Sequence, residues 1–559
     1  MVFGLTSLAS LSPGAAVNAA VPPLSAPPGL ADFPTPLSPA LPYDVNVELV
    51  HRLDAEGRIQ EAQRQFDILS WQAFLALAWP ANPNGQPARR LTLSDNTSPR
   101  VWSYWRNIDT IFLPNGATPA AWDAQDNLAA SQSAFRAKAA WRQHTSSADQ
   151  NFQAFTGPLV DQNGKWVRYE VLVNREEADY LIENELYNLE GQVAFSQRAD
   201  SNQVEFPVNL RHRKHGAIEI KLSWKEMGTN DDRSRFYISR IKVNLAEPAA
   251  PGQTTMATRE IEAGLVGMHI SLHTVSSPEW IWATFEQVDN VRSNRMANGK
   301  YSVPSFNNPA SPAPPNILPT KNAVIDPATG FPVPAPAASA TTWIESLTTT
   351  PVQLTRVEVP TQGQLNPLDQ TLSNDVMALN AQVQALLRSA NSVFQHYELI
   401  GTQWPIHPNA PAFAGGNASA PESITHKTPG DVVPVFLINT TMESYFQKGL
   451  QEAGPLEQDD RLPPTSPSID PTMVIGTESC VGCHYSSGIC IGFKKDASGK
   501  ILRDAQGNPT PIFGENNHFG KTGNANFSWM LQIEAKSKTA QIARTSDTKN
   551  AAKFLNVGK

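Results

Sequence analysis

The first long amphipathic pattern in the chain predicts a helix over residues 56–79. Its apolar residues recur at three- and four-residue steps, the spacing of one face of an α-helix; they are Ile59, Ala62, Phe66, Leu69, Ala73 and Leu77. Pro80 ends the pattern, because a proline disfavours helical conformation in the residue before it. The same periodicity predicts a helix over 372–394, and an Ala- and Gln-rich stretch predicts another over 120–144.

Between these helices, alternation of apolar and polar residues predicts strands. The alternating segments are 167–173, 218–224, 241–245 and 266–272. Successive side chains of a strand point to opposite faces, so the last segment places His269 opposite Met268 and Ile270. Helices flank the strands and are not regularly interleaved with them. This favours an α+β fold, with a large body of mostly antiparallel strands and flanking helices and a C-terminal helical or loop segment.

Proline divides the chain. Nineteen of the 46 prolines lie in two tracts, 13–42 and 304–338, and neither composition predicts regular structure. These breaks predict five regions. They are a signal-like leader and Pro-rich tether (1–42), an α+β body (43–303), a Pro-rich linker or loop (304–340), a helical part of the body (341–450) and a C-terminal region (451–559).

Charge and hydropathy exclude two classes of partner. The net charge is −8 and 17% of residues are charged, whereas a nucleic-acid-binding protein presents a basic face. No segment approaches the roughly 18 uninterrupted apolar residues of a membrane helix. We therefore expect no nucleic-acid partner and no transmembrane span in the mature chain.

The segment Cys480-Val-Gly-Cys483-His484 has the Cys-x-x-Cys-His spacing of a covalent haem c attachment site. Two thiols add to the two vinyl groups of the porphyrin, and the adjacent histidine ligates iron. The 559 residues contain only three cysteines, and two of them fall in this motif. The sequence therefore predicts one covalent haem c in the region 451–559, attached through Cys480 and Cys483, with His484 as the proximal iron ligand.

Two alternatives remain for this motif. One is a tetrahedral zinc site formed by three cysteines and one histidine, although zinc modules usually contain a second close pair of ligands. Its ligands would be Cys480, Cys483, Cys490 and either His484 or His518. The other is a chemically inert pair of cysteines. Outside a zinc site, Cys490 is expected to be a small buried apolar residue.

Haem c attachment implies export, and residues 2–20 resemble part of a secretory signal. They are small and apolar, and Val17-Asn-Ala-Ala20 resembles a signal-peptidase site. The first basic residue is Arg52, whereas a secretory signal normally starts with positive charge. We expect a periplasmic or otherwise exported protein with an incomplete or poor signal.

Seven segments follow one another along the chain as further landmarks. They are 71–80 (WQAFLALAWP), 264–270 (GLVGMHI), 280–290 (WIWATFEQVDN), 399–405 (LIGTQWP), 439–445 (NTTMESY), 479–484 (SCVGCH) and 526–531 (NFSWML). In this order they resemble a bacterial family of large exported monohaem proteins, called cytochrome c family proteins. The resemblance spans about residues 60–540 and implies one covalent haem near the C-terminus, but no particular reaction. Relatives usually have a histidine where this chain has Gln287, and an aliphatic residue where it has Met530.

The sixth ligand of the iron decides between electron transfer and small-molecule chemistry. Its candidates, as ligands or pocket residues, are His518 and Met530 downstream of the motif and His269 in the body; Gln287 is a further polar pocket candidate. The body is larger than haem attachment requires, which favours an oxidoreductase acting on a small molecule in a pocket completed by the body. The alternatives are an electron-transfer cytochrome that docks to a redox partner protein, and a small-ligand haem sensor or binding protein. The sequence identifies no catalytic residue.

Overall fold

The structure is a computed structural model, and it describes most of the body and parts of the C-terminal region. The described residues are 29–123, 142–143, 157–199, 203–210, 214–248, 256–296, 298–326, 331–356, 374–405, 432–434, 437–445, 480–484, 487–504, 507–514 and 523–538.

Helices and strands both contribute to the fold. The α-helices of the described residues are α1 (Val47–Ala55), α2 (Ile59–Leu77), α3 (Arg175–Glu183), α4 (Leu189–Ser196), α5 (Asn374–Ser389), α6 (Cys480–His484) and α7 (Met530–Ile533). The strands are β1 (Arg106–Asn107), β2 (Arg142–Gln143), β3 (Arg168–Val173), β4 (Ile218–Glu226), β5 (Ile238–Pro248), β6 (Met256–Leu272), β7 (Ile281–Gln287), β8 (Ala323–Ile325), β9 (Pro332–Pro334), β10 (Tyr397–Pro405), β11 (Val432–Val433), β12 (Cys490–Phe493) and β13 (Pro511–Phe513).

A nine-stranded sheet organises the body. Along its main path the strand order is β1-β3-β4-β6-β7-β10-β11, with every neighbouring pair antiparallel. The long β6 also pairs with β5 through its first half, and β2 pairs with β5 in parallel. The fold is thus α+β with a mostly antiparallel sheet, as predicted.

One face of the sheet packs against α2 and α5 to form the largest apolar core. Its sheet side contains Ile220, Ile270 and Phe285, all 0% exposed. The predicted stripe of α2 is buried here, and Phe74 of that helix stacks on Phe285 with ring centroids 4.4 Å apart. The helix predicted over 56–79 is confirmed as Ile59–Leu77.

The predictions for the remaining elements had mixed outcomes. The four predicted strands are confirmed as β3, β4, β5 and β6, and the helix predicted over 372–394 as α5. Most of the helix predicted over 120–144 lies outside the described residues. At 142–143 it is wrong, because these residues form β2 beside β5; Ala and Gln favour a helix, but strand pairing prevails there.

The second proline tract is mostly irregular, but it contains a two-stranded ribbon of β8 and β9. Both strands of such a ribbon are edges, where prolines are tolerated. Phe306, near the start of the tract, is 0% exposed, so this part of the tract packs on the body. Similarly, Phe33 of the first tract is buried in the largest core, and its N–H donates to Gln382 Oε1 at 3.1 Å.

None of the helices in the described ranges has the length and apolar character needed to cross a membrane. This agrees with the expectation from hydropathy for that part of the chain.

Candidate functional site

The face of the sheet opposite α2 and α5 carries polar side chains at alternate positions of the central strands. One cross-strand row joins Lys221 of β4, His269 of β6 and Thr284 of β7. The adjacent row joins Glu219, Ser271 and Trp282. These six residues are called the polar face below. They alternate with the apolar residues of the core because strand side chains have a period of two.

Helix α6, which contains the Cys-x-x-Cys-His motif, lies against the polar face. The imidazole of His484 packs on the indole of Trp282, with ring centroids 4.4 Å apart at 47°. The Val481 N–H donates to Gln403 Oε1 at 2.8 Å, and Gln403 is the β10 partner of Trp282. Cys480 Sγ lies 3.6 Å from the Leu437 carbonyl oxygen. The sheet therefore fixes both ends of the short helix.

A backbone carbonyl fixes the orientation of the His484 ring. Nδ1 of His484 lies 2.7 Å from the Phe527 oxygen, and a carbonyl can only accept, so Nδ1 carries the proton and donates. This tautomer has its lone pair on Nε2, the form in which histidine ligates metals. Phe527 adopts a left-handed backbone with φ +67°, a costly conformation for a residue with a bulky side chain.

The surroundings of His484 favour a neutral imidazole. Burial lowers the pKa of His484 to about 4, and the positive charges of Lys221 and His269 act in the same direction. The bond to Phe527 and the charge of Glu443 oppose this shift. The site therefore presents an unprotonated Nε2 at neutral pH, and three charged or titratable groups lie near enough to act on it.

His269 forms a pair with Glu443, a residue of the 437–445 segment. Their Nε2 and Oε2 atoms are 3.5 Å apart. Burial raises the pKa of Glu443, but His269, Lys221 and the Asn439 N–H outweigh it and hold the pKa below its usual range. Glu443 is thus a carboxylate beside His269 at neutral pH.

The other sequence candidates fall in different places. Met530 begins α7 and is 4% exposed in the second apolar core, together with Val481 and Ile489. Gln287 pairs with Tyr397 on the apolar side of the sheet and bonds to Asp289 and the Arg235 carbonyl. Gln287 therefore does not face His484, and its assignment as a pocket residue is wrong. His518 and the side chain of Cys483 lie outside the described residues.

The third cysteine is separate from the motif. Cys490 is 0% exposed in β12, its N–H donates to Gln192 Oε1 at 2.8 Å and its thiol donates to the Gly492 oxygen. Within the described part of the chain, no three His, Cys, Asp or Glu side chains group closely enough to hold a metal ion. A zinc site that includes both His484 and Cys490 is therefore contradicted. The version with His518 depends on residues outside this part.

Six of the seven landmark segments meet at this site. They contribute His269, Trp282, Gln403, Glu443, the motif itself and the Phe527 carbonyl. The seventh, 71–80, supplies Phe74 to the core behind the same strands. Sequence reasoning missed the roles of Trp282, Gln403 and Glu443. Strand alternation places Trp282 opposite the apolar residues of β7, but only pairing across distant strands brings it to His484.

No protein-family model matches this chain, and no curated protein or solved structure was found to be similar to it. Function is therefore inferred from the site itself.

Proposed function

We propose that the protein binds one haem c covalently through Cys480 and Cys483, with Nε2 of His484 as the proximal iron ligand. The observation that carries this proposal is the bond from His484 Nδ1 to the Phe527 carbonyl. Metal-bound histidines commonly donate their second ring nitrogen in this way, which fixes tautomer and orientation.

The chemistry that a haem supplies is one-electron transfer and, at an open iron position, binding of small ligands such as oxygen species. The body supplies the environment. His269, Glu443 and Lys221 place polar and charged groups beside His484, whereas a pure electron carrier benefits from apolar surroundings that exclude ligands. We therefore propose an exported haem oxidoreductase that acts on a small molecule, with a redox partner protein as the source or acceptor of electrons. The resemblance to cytochrome c family proteins agrees with this proposal.

On the polar face, we assign His269 as the side chain that would act on a small molecule bound at the iron. Its Nε2 lies 3.5 Å from a Glu443 carboxylate oxygen, and histidine is the side chain that most often transfers protons in catalysis. Met530 is less suited to this role because it is packed among apolar side chains of the second core.

Attachment is tested first, in cells with a periplasmic cytochrome c assembly system. Wild-type protein should retain haem on a denaturing gel, and Cys480→Ala and Cys483→Ala should each reduce covalent attachment, with loss in the double variant. Cys490→Ala is the matched control and should retain haem, because Cys490 is buried elsewhere. Covalent haem in the double variant, or zinc and no haem in the wild type, would refute the proposal.

The oxidoreductase assignment is tested by visible spectra of the ferric and ferrous protein, with and without carbon monoxide. A high-spin haem that binds carbon monoxide supports small-molecule chemistry. His269→Gln should then change the carbon monoxide dissociation rate several-fold, whereas His273→Gln, a buried histidine outside the polar face, should leave it unchanged. A low-spin haem that excludes carbon monoxide would instead indicate an electron carrier.

A further inference from the structure

Two carboxyl groups lie beside the candidate site and have no part in haem attachment. Glu177 of α3 is 0% exposed, and neither of its carboxyl oxygens has a hydrogen-bond partner among the described residues. Glu219 of the polar face is partly buried, and its Oε2 accepts from Ser528 Oγ at 3.1 Å. A buried carboxyl without partners is costly as a carboxylate and persists only with a proton.

The two side chains act on each other. Burial raises the pKa of Glu177 well above its usual value, and the charge of Glu219 adds to the effect. Burial raises the pKa of Glu219 to about 7, against the Ser528 bond and the positive charge of Lys221. Two buried carboxyls that interact in this way do not ionise together readily. The pair therefore holds at least one proton near neutral pH, and its second proton is poised to exchange in the same range.

Two hydrogen bonds and one peptide link connect Glu219 to the proposed iron ligand, His484. Ser528, the hydrogen-bond donor to Glu219, directly follows Phe527, whose carbonyl accepts from His484 Nδ1. Across the sheet, Glu219 shares its row with Trp282, two strands away, and strands are spaced about 4.8 Å apart. A unit charge at about 10 Å changes a carboxyl pKa by about one unit at an effective dielectric constant of about 20.

We propose that Glu177 and Glu219 form a redox-linked proton site for the haem. This proposal depends on the proposed function. When a one-electron donor delivers an electron to the haem iron, the pair takes one proton from bulk water onto a carboxylate oxygen, and oxidation returns both. Because one electron and one proton are taken up together, the net charge of this buried region does not change. Uptake of the proton therefore favours reduction of the haem.

The charged groups that face the pair are few in the described residues. Lys221 lies on the same strand and face as Glu219, His269 lies diagonally across on β6, and Glu443 lies beyond His269. The row neighbours Val173 and Ser271 carry no charge. The positive charge of Lys221 favours the ionised form of Glu219 and so lowers the pH at which the proton exchanges. It does not remove the need for a proton on the pair.

The experiment is the reduction potential of the full-length haem protein, measured between pH 5 and 9. In the wild type we expect the potential to fall with rising pH near neutrality, with a slope approaching one proton per electron. Glu219→Gln and Glu177→Gln should each flatten this slope. The matched control Glu260→Gln, which alters an exposed carboxyl of β6, should retain it.

Two further measurements keep the test decisive if a Gln variant does not fold. Ser528→Ala removes a bond that favours the ionised form, so it should move the sloping region to higher pH and keep the slope. Reduced-minus-oxidised infrared spectra should contain a protonated-carboxyl band in wild type that Glu260→Gln retains.

The outcomes separate the two proposals. A haem protein whose potential is independent of pH, or whose slope is the same in Glu219→Gln and Glu177→Gln, would overturn the proton site and leave haem attachment intact. A chain that acquires no haem would overturn both.

Discussion

The two faces of the central sheet use the same strands for different purposes. On the apolar face, Ile220, Ile270 and Phe285 pack against α2 and α5. On the polar face, the residues next to them in sequence are charged or hydroxylated, and the motif helix α6 lies against them. The apolar face is satisfied by burial alone, because dispersion and the hydrophobic effect need no specific partner.

The polar face is not satisfied in this way. Thr284 Oγ1 on this face and the Glu177 carboxyl beside it are buried without hydrogen-bond partners among the described residues. Unpartnered buried polar groups destabilise a fold. Both groups lie on or beside the face that carries the Cys-x-x-Cys-His helix, where the proposed ligand chemistry would take place. Removing an unpartnered polar atom from this face and removing a packed apolar side chain from the other should therefore change stability in opposite directions.

The largest effect is expected on the apolar face. Phe285→Ala removes a 0% exposed ring that stacks on Phe74 and packs edge-on against Trp71. Such a cavity should lower the free energy of unfolding by about 3–5 kcal/mol, measured by urea denaturation. Phe285→Leu, the control that keeps an apolar side chain, should lose clearly less. Equal losses in the two variants would mean that the cavity is not the cause.

The second effect is pH-dependent and belongs to the polar face. The folded pKa of Glu219 is raised by burial to about 7, above the unfolded value of about 4.3, so the folded state keeps a proton that the unfolded state releases. Stability should therefore fall as pH rises through this window, by up to about 3 kcal/mol for Glu219. Glu219→Gln should remove this contribution in the haem-free chain, measured by denaturation at pH 4.5 and 7.5. If the stability of the wild type and of Glu219→Gln changed by the same amount between pH 4.5 and 7.5, the prediction would be wrong.

The contrast between the faces also explains which elements and site residues could be predicted from the sequence. Alternation and helical periodicity depend on neighbours in sequence, so β4, β6, α2 and α5 followed from apolar spacing alone. The candidate residues Cys480 and His484 were identified from the Cys-x-x-Cys-His spacing. Neither kind of pattern contains the order of strands in a sheet.

What could not be predicted depends on contacts between distant segments. Gln287 and Trp282 both belong to β7, and only Gln287 was a sequence candidate. Pairing with β10 and packing of α6 decide that Trp282 meets His484. Likewise, the acceptor for His484 Nδ1 is a main-chain oxygen 43 residues away, which no side-chain pattern encodes. Glu177 became significant only because α3 folds against Glu219.

A third prediction concerns how the sheet holds the motif helix. Gln403→Leu removes the acceptor of the Val481 N–H and the donor to the Pro434 oxygen. Unpairing buried backbone groups should cost about 2 kcal/mol and lower the yield of covalent haem. Gln384→Leu makes the same chemical change on α5, where Nε2 donates to the Tyr397 oxygen, and should leave haem yield unchanged. The same loss of haem in both variants would indicate a general folding defect.

The smallest expected effect comes from two adjacent residues of β7 that point to opposite faces. One substitution removes a hydroxyl from the polar face, and the other adds a hydroxyl to the apolar face. Thr284→Val on the polar face replaces a 1% exposed residue whose hydroxyl has no partner in the described part of the chain. This substitution keeps the shape and removes an unsatisfied group, so it should leave unfolding unchanged or stabilise the fold by up to about 1 kcal/mol. Ala283→Ser introduces such a hydroxyl on the apolar face, where Ala283 is 2% exposed, and should destabilise by about 1–3 kcal/mol. If Thr284→Val lowered the free energy of unfolding more than Ala283→Ser did, Thr284 Oγ1 would have a hydrogen-bond partner. The polar face would then be an ordinary hydrogen-bonded core.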